Sequence, residues 1–323
     1  MQNRPLRPRF LALSAIVAAT LATAGFGPAQ EQQQPTFRTS VSVVPITAVV
    51  RDARHRLVRN LAREDFQVLE HGTPRRIIEF RANNDGPVSV AFLFDTSGSM
   101  GLTANLAKGK DIIRQLLARL DSTRDEVALF TFHKSLREEV AFTSDVERIE
   151  RALEDVRPWG LTSLYDAVAE TAKRITDHPG PRRAVVVISD GLDTSSALTS
   201  TEVAALASAI DVPVYVVGVV SPLDHPAHAA SVVPPTSTGG LLDLAGLTGG
   251  DVFYVSSLEP SPTAAALLMA MRHQYFLAIE SSTTPGQYAL QVKMKRKGLN
   301  VRARSGYLAE STGERPSDPF STR

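Results

Sequence analysis

Two apolar runs that each stop at an aspartate constrain this chain more than any other feature. Residues 88–94 are apolar except for Ser89 and lead into Asp95, and residues 184–189 form a second such run that ends at Asp190. Short runs of this kind fit strands buried on both faces, which occur in parallel sheets covered by helices. The surrounding segments supply the helices. Leu102, Leu106, Ile113, Leu116, Leu117 and Leu120 follow helical spacing, as do Val146, Ile149, Leu153 and Val156, then Leu164, Val168, Ala172 and Ile175. Further strands are expected at 126–132, 212–220 and 252–255, with helices around Val203, Leu206 and Ile210, at 241–247 and at 264–271. Several strand–helix units in series predict an α/β fold with a mostly parallel, helix-covered sheet over residues 86–273.

The flanks read differently. From Arg38 to about Gly86 the pattern is of short strands at 41–44, 46–50 and 66–70, with His71-Gly72 turning into a hairpin partner at 77–80. After His273, residues 275–280 read as a strand, Tyr288, Leu290, Val292 and Met294 alternate with Ala289, Gln291, Lys293 and Lys295, and 301–307 follow a turn at Lys297-Gly298. Each piece alone is marginal in size. One small β-domain built from both, with the α/β unit inserted, resolves that difficulty. On this reading the segments are 38–85, 86–273 and 274–309, with a linker at 30–37 and a flexible tail at 310–323.

The N-terminus has the layout of a cleavable signal peptide. Arg4, Arg7 and Arg9 precede an apolar run from Phe10 to Ala24, and Gly27-Pro28-Ala29 offers a cleavage site before Gln30. The run is about 15 residues, short of the roughly 20 that span a bilayer. Residues 1–29 are therefore expected to be removed, leaving a secreted or periplasmic protein. The 323 residues carry 35 Lys and Arg against 34 Asp and Glu; without the three leader arginines the balance is 32 to 34. A near-neutral chain gives no bulk attraction to nucleic acid or anionic lipid. It has no cysteine, which excludes disulfides, thiolate metal sites and cysteine nucleophiles.

Functional groups in parallel α/β sheets collect beyond the C-terminal strand ends. Asp95-Thr96-Ser97-Gly98-Ser99 follows the first run, Ser189-Asp190-Gly191 closes the second, and Gly160-Leu161-Thr162-Ser163-Leu164 places a hydroxyl where a helix starts. Asp95, Ser97, Ser99, Thr162 and Asp190 are all hard oxygen donors, suited to octahedral Mg²⁺ or Mn²⁺. Helix capping accounts for Asp95 and Ser97 alone, and leaves Thr162 and Asp190 without a reason. No G-x-S-x-G elbow marks a hydrolase, and neither Gly239-Gly240 nor Gly249-Gly250 leads into a Walker lysine.

The trio DTSGS, GLTSL and SDG, in this order, resembles the metal-ion-dependent adhesion site of a von Willebrand factor type A domain. The resemblance covers about residues 86–273 and implies a Rossmann-like fold. It implies Ser97, Ser99 and Thr162 as direct ligands of Mg²⁺ (or Mn²⁺ or Ca²⁺), with Asp95 and Asp190 acting directly or through water. It further implies a protein partner presenting an Asp or Glu carboxylate to the open metal position, and a recognition role without catalysis. The flanks, with DFQVLEHG at 65–72 and VRARSGYLA at 301–309, resemble a group of exported bacterial proteins built around such a domain. A structural subunit of an envelope complex is the alternative, and a metal-dependent hydrolase a third.

Three other features have two readings each. Trp159, the only tryptophan, is either an interface anchor or packing for its own loop. The proline-rich stretch 221–240 reads as a specificity or flexible loop, in which Asp224, His225 and His228 offer a weak transition-metal set. Lys293, Lys295, Arg302 and Arg304 share either a solvated strand face or a patch for an acidic partner.

Overall fold

A computed structural model describes residues 43–309 apart from 84, 103, 177, 180–181, 192, 210, 220–238 and 256–259. The expected leader, linker and tail lie outside this set, as does nearly all of the 221–240 stretch with its histidines. In chain order the elements are β1 (Val43–Asp52), β2 (Phe66–Glu70), β3 (Thr73–Arg75), β4 (Ile77–Asn83) and β5 (Ser89–Asp95), then α1 (Gly98–Leu102), α2 (Asn105–Leu117), β6 (Glu126–Phe132) and β7 (Leu136–Thr143). There follow α3 (Val146–Asp155), α4 (Leu164–Thr176), β8 (Arg183–Ser189), α5 (Ser200–Ala209), β9 (Val214–Val219), α6 (Gly239–Thr248), β10 (Val252–Val255) and α7 (Pro260–Arg272). Four strands close the described chain: β11 (Gln274–Glu280), β12 (Gly286–Met294), β13 (Leu299–Ala303) and β14 (Gly306–Ala309).

The α/β unit is built on a six-stranded sheet in the order β10-β9-β8-β5-β6-β7, parallel except for the edge strand β7. All seven residues of β5 are buried. Because side chains alternate along a strand, Val90, Phe92 and Phe94 join Ile112, Ile149 and Leu267 of α2, α3 and α7 on one face. Ala91 and Leu93 join Leu164, Val203 and Leu244 of α4, α5 and α6 on the other. A strand with helices on both sides has no room for polar groups along its length, so they gather at its ends. Among the described residues no helix is long and apolar enough to cross a membrane.

The flanking strands make two antiparallel sheets, β13-β1-β11-β4 and β14-β12-β2-β3. Each draws two strands from before the α/β unit and two from after it, and Ile46, Phe66, Val68, Tyr275, Leu277 and Leu290 from both sheets share one core. The fold class read from the sequence is therefore the one observed.

Three local readings change. The hairpin partner of β2 is β3, paired through Val68–Arg75 and Glu70–Thr73, while Ile77–Asn83 runs in the other sheet against β11. The strand expected at 301–307 is two strands in different sheets, broken where Arg304 turns inward. For the same reason Lys293 on β12 and Lys295 just beyond it share no hairpin face with Arg302 and Arg304: Arg302 pairs with Asp251 at 3.2 Å, and Arg304 is buried. Strand β7 escaped the sequence pattern because an edge strand with one buried side chain, Val140, shows little apolar alternation.

Arg304 fastens the last strands to the α/β unit. Its Nη1 donates to the Ser208 carbonyl at 3.0 Å, its Nε lies 3.5 Å from Asp211, and Ser305 N–H donates to the Leu247 carbonyl at 2.8 Å. Removing one partner of a buried ion pair strands the other charge, at about 3–5 kcal/mol. Arg304→Met should therefore lower the unfolding free energy in urea by about that amount, and Asp211→Asn added to it should recover part of the loss.

Candidate metal centre

The strand order places β5 and β8 side by side, with Phe94 level with Ile188. Their C-terminal ends thus bring Asp95 beside Ser189. Ser189 Oγ donates to Asp95 Oδ2 at 2.6 Å, the Ser97 amide donates to Asp95 Oδ1 at 2.8 Å, and the Gly191 amide donates to Ser189 Oγ at 3.0 Å. Asp95 accepts from a residue ahead of α1 and does not cap that helix. Both of its oxygens are occupied, so it is oriented to hold a further donor such as a bound water. Burial pushes the Asp95 pKa up to about 6, against the lowering effect of the hydrogen bonds from Ser189 and Ser97, and the Asp190 charge adds to the rise.

Ser97 is fully buried and its Oγ lies 3.0 Å from Ser99 Oγ. That separation suits a hydrogen bond between the hydroxyls. It is also the spacing of two adjacent oxygens on an octahedral ion with bonds of about 2.0–2.1 Å, which lie roughly 2.9 Å apart. Met100, fully buried one residue later, anchors the short helix α1 that carries Ser99.

The loop bearing Thr162 is laced to the first loop through the backbone. The Trp159 amide donates to the Thr96 carbonyl at 2.7 Å and the Gly98 amide to the Gly160 carbonyl at 3.0 Å. Gly160 has φ +83°, the left-handed region in which a β-carbon is strained, and this turn brings its carbonyl to Gly98. Thr162 is buried. Its amide donates to Thr194 Oγ1 at 3.0 Å, and its carbonyl accepts from the amides of Thr194 and Ser195 at 2.9 and 3.0 Å.

Sequence reasoning missed this third segment. Asp193 Oδ1 accepts from the Leu164 amide at 2.8 Å, and Ser196 Oγ accepts from the Tyr165 amide at 3.0 Å, so residues 193–196 satisfy first-turn amides of α4 that have no partner within the helix. The available signal was the density of Asp, Ser and Thr directly after Asp190. The other missed residue is Ser189, whose hydroxyl sits at the strand end that pointed to Asp190.

The structure thus brings all five expected positions to one sheet edge: Asp95 and Asp190 interact electrostatically, Ser97 touches Ser99, and the Thr162 loop contacts the Ser97 loop. Residues 90–192, which contain all five, match the family model of the von Willebrand factor type A domain. The chain carries a von Willebrand factor type A domain. No curated protein matches the chain. Among solved structures it is similar to an aerotolerance-related membrane protein from Bacteroides fragilis (22% identity, 57% of this chain and 98% of that one, TM-score 0.47). It is also similar to the conserved hypothetical protein BatB from Bacteroides thetaiotaomicron (23%, 57% and 98%, 0.47). A third likeness is to proximal thread matrix protein 1 from the mussel byssus with a zinc-occupied MIDAS motif (16%, 62% and 49%, 0.49).

Within this von Willebrand domain the donor set fits a small hard cation. It combines the Ser97 and Ser99 hydroxyls, at the spacing of adjacent octahedral ligands, with two carboxylates close enough to repel. Among the described residues no group of three or more His, Asp or Glu side chains stands ready to hold a metal, so an ion here would depend on the hydroxyls. The surround is apolar and exposed. Trp159 is 73% and Leu161 56% exposed on either side of Gly160, and Trp159 meets His133 edge-on at 5.6 Å. Beside them a groove of about 250 Å³ is lined by Thr96, His133, Arg137, Glu139 and Arg157.

The raised Asp95 pKa sets a pH dependence. Its folded-state value exceeds the ordinary 3.8, so the native state holds the proton longer than the unfolded chain. Its stabilising contribution is complete below about pH 4 and is lost as pH rises through about 6, a change of roughly 3 kcal/mol. Unfolding followed across that range with EDTA present should show wild type losing stability relative to Asp95→Asn as pH rises.

Proposed function

We propose that this chain is an exported, non-catalytic recognition module that captures a partner protein through a divalent cation. The observation that supports the reading is the Ser97–Ser99 hydroxyl pair, 3.0 Å apart, beside Asp95 at the end of β5, with the Thr162 loop tied by its backbone to the Ser97 loop and the Asp190 charge acting on Asp95. Ser97, Ser99 and Thr162 would hold Mg²⁺ or a similar ion directly, and Asp95 and Asp190 would orient its waters. The bound ion supplies a positive charge whose neutral hydroxyl ligands leave it seeking an anion, and a partner's Asp or Glu carboxylate is such an anion.

The residues around the site suit that role. Asp95, fixed by Ser189 and by the Ser97 amide, cannot swing away from the strand end. The hydroxyl loops are tied by backbone hydrogen bonds, so the donors are organised before any ligand arrives. One carboxylate contact gives little specificity, and the exposed Trp159 and Leu161 supply the apolar anchors that interfaces favour. Export rests on the leader sequence at residues 1–29.

Two measurements test the reading. Mg²⁺ at about 100 times its dissociation constant should stabilise the folded chain by about 2.7 kcal/mol, and Asp190→Ala should abolish the effect. Trp159, the only tryptophan, provides the second readout. Its fluorescence should respond to glutamate-containing peptides in Mg²⁺ and lose the response in EDTA. Thr162→Ala should weaken peptide binding by about tenfold or more, corresponding to at least 1.4 kcal/mol. Peptide binding that is indifferent to EDTA would contradict the proposal.

A further inference from the structure

A second polar site lies at the opposite edge of the six-stranded sheet. Where the starts of β8 and β9 meet the sheet containing β1, β4 and β11, a cavity of about 270 Å³ is lined by Thr47, Arg81, Arg182, Arg183, Asp211 and Tyr275, among others. Three guanidinium groups face one carboxylate. That carboxylate is already engaged: Asp211 accepts from Thr47 Oγ1 at 3.5 Å and lies 3.5 Å from Arg304.

The three arginines are not equivalent. Arg183 donates to the carbonyls of Ile175, at 3.2 Å, and of Thr176. Arg81 pairs with Glu79 at 3.0 Å and lies over the Phe276 ring at 4.5 Å. Arg182 differs: both of its terminal nitrogens are buried, and neither has an acceptor among the described residues. The carboxylates near it are taken. Asp85 pairs with Arg124 at 3.1 Å and with Arg272 at 3.3 Å, and Asp125 pairs with Arg272. Burial first, and then the Arg272 charge, hold the Arg182 pKa below the ordinary arginine value.

Two backbone features keep Arg182 in this place. Its φ is +51°, a left-handed conformation that a non-glycine residue adopts only at a cost. A β-carbon on Gly86 would lie 2.0 Å from Arg182 Nη1, so the absence of a side chain at 86 is what admits the guanidinium. A strained residue, a glycine cradle and two buried guanidinium nitrogens without a hydrogen-bond acceptor are each unfavourable alone. They make sense together if something absent from the chain itself supplies the acceptor.

We propose that this cavity is a binding site for a small oxyanion, a phosphate or a carboxylate, held by Arg182 with Arg81 and Arg183 adding positive charge. Guanidinium matches both anions in geometry. No hydrogen bond need break for Arg182 to turn toward the anion. The cavity is smaller than the roughly 300–1,000 Å³ typical of pockets for drug-sized ligands, which suits a small ion. Since its walls come from both the base of the parallel sheet and the β1-β11-β4 sheet, the anion would pin one to the other. The site is independent of the metal edge and stands or falls without it.

The test is thermal unfolding in inorganic phosphate, sulfate or acetate at millimolar concentrations, with chloride holding the ionic strength constant. Wild type should show a saturable rise of the unfolding midpoint by a few degrees. A rise with phosphate and sulfate alone assigns a dianion site, and an equal rise with acetate assigns a carboxylate site. Arg182→Met should lose the saturable rise while unfolding at or above the wild-type temperature in chloride, since it removes two buried nitrogens that have no hydrogen-bond acceptor. Gly86→Ala, which leaves every charge in place but displaces the guanidinium, should lose it too. A rise of the same size in wild type and both variants would be the general effect of excluded salts and would overturn the proposal. So would the absence of a saturable rise with any of the three anions, or an Arg182→Met protein that unfolds well below wild type in chloride.

Discussion

The hydrogen bond from Ser189 Oγ to Asp95 Oδ2 joins the C-terminal ends of the two central strands at a point sealed from solvent. Everything at the candidate metal centre hangs from that junction. Asp95 is held so that its other oxygen receives the Ser97 amide, which sets where Ser97 and Ser99 present their hydroxyls. The buried sheet interior explains why these groups sit there: β5 and β8 are apolar along their length, so the first positions that can carry polar side chains are the strand ends. The same junction confines Asp95 and Asp190 near one another, a repulsion that a cation would relieve.

The two antiparallel sheets extend the logic of shared construction. Neither the strands before the α/β unit nor those after it would form a covered sheet alone, because each four-stranded sheet needs both. The last strands are fixed to the α/β unit by Arg304, which donates to the Ser208 carbonyl and to the Pro45 carbonyl of β1 and sets its charge beside Asp211. The molecule therefore has two polar edges of opposite character on one parallel sheet. The C-terminal edge gathers hydroxyl and carboxylate oxygens, whereas the N-terminal edge gathers guanidinium groups beside carboxylates that are already paired.

Much of this was legible in the sequence because burial on both faces leaves a strong mark. The apolar runs ending in Asp95 and Asp190, and the 3.6-residue spacing of the helices, indicated the α/β core directly. The five candidate ligands followed from where hydroxyls and carboxylates stood relative to those runs. Readings failed where burial is partial or long-range pairing decides. Strand β7 has one buried side chain and left no pattern. The partner of β4 is β11, nearly two hundred residues away in sequence, and no local turn signal announces it. Arg304 read as a solvated residue because its buried partners lie on α5 and the turn after it. Residues 193–196, which steady the Thr162 loop, are ordinary turn formers whose role depends on the start of α4.

The central claim is that the hydroxyls of Ser97, Ser99 and Thr162 form one cation site at the ends of β5 and β8. Anomalous diffraction from crystals of the mature chain grown with Mn²⁺ would test it most directly. The account predicts a single strong peak bonded to those three hydroxyls, with Asp95 and Asp190 bound to it or to its waters. Strong peaks confined to other positions, with Ser97 and Ser99 still bonded to each other, would contradict it.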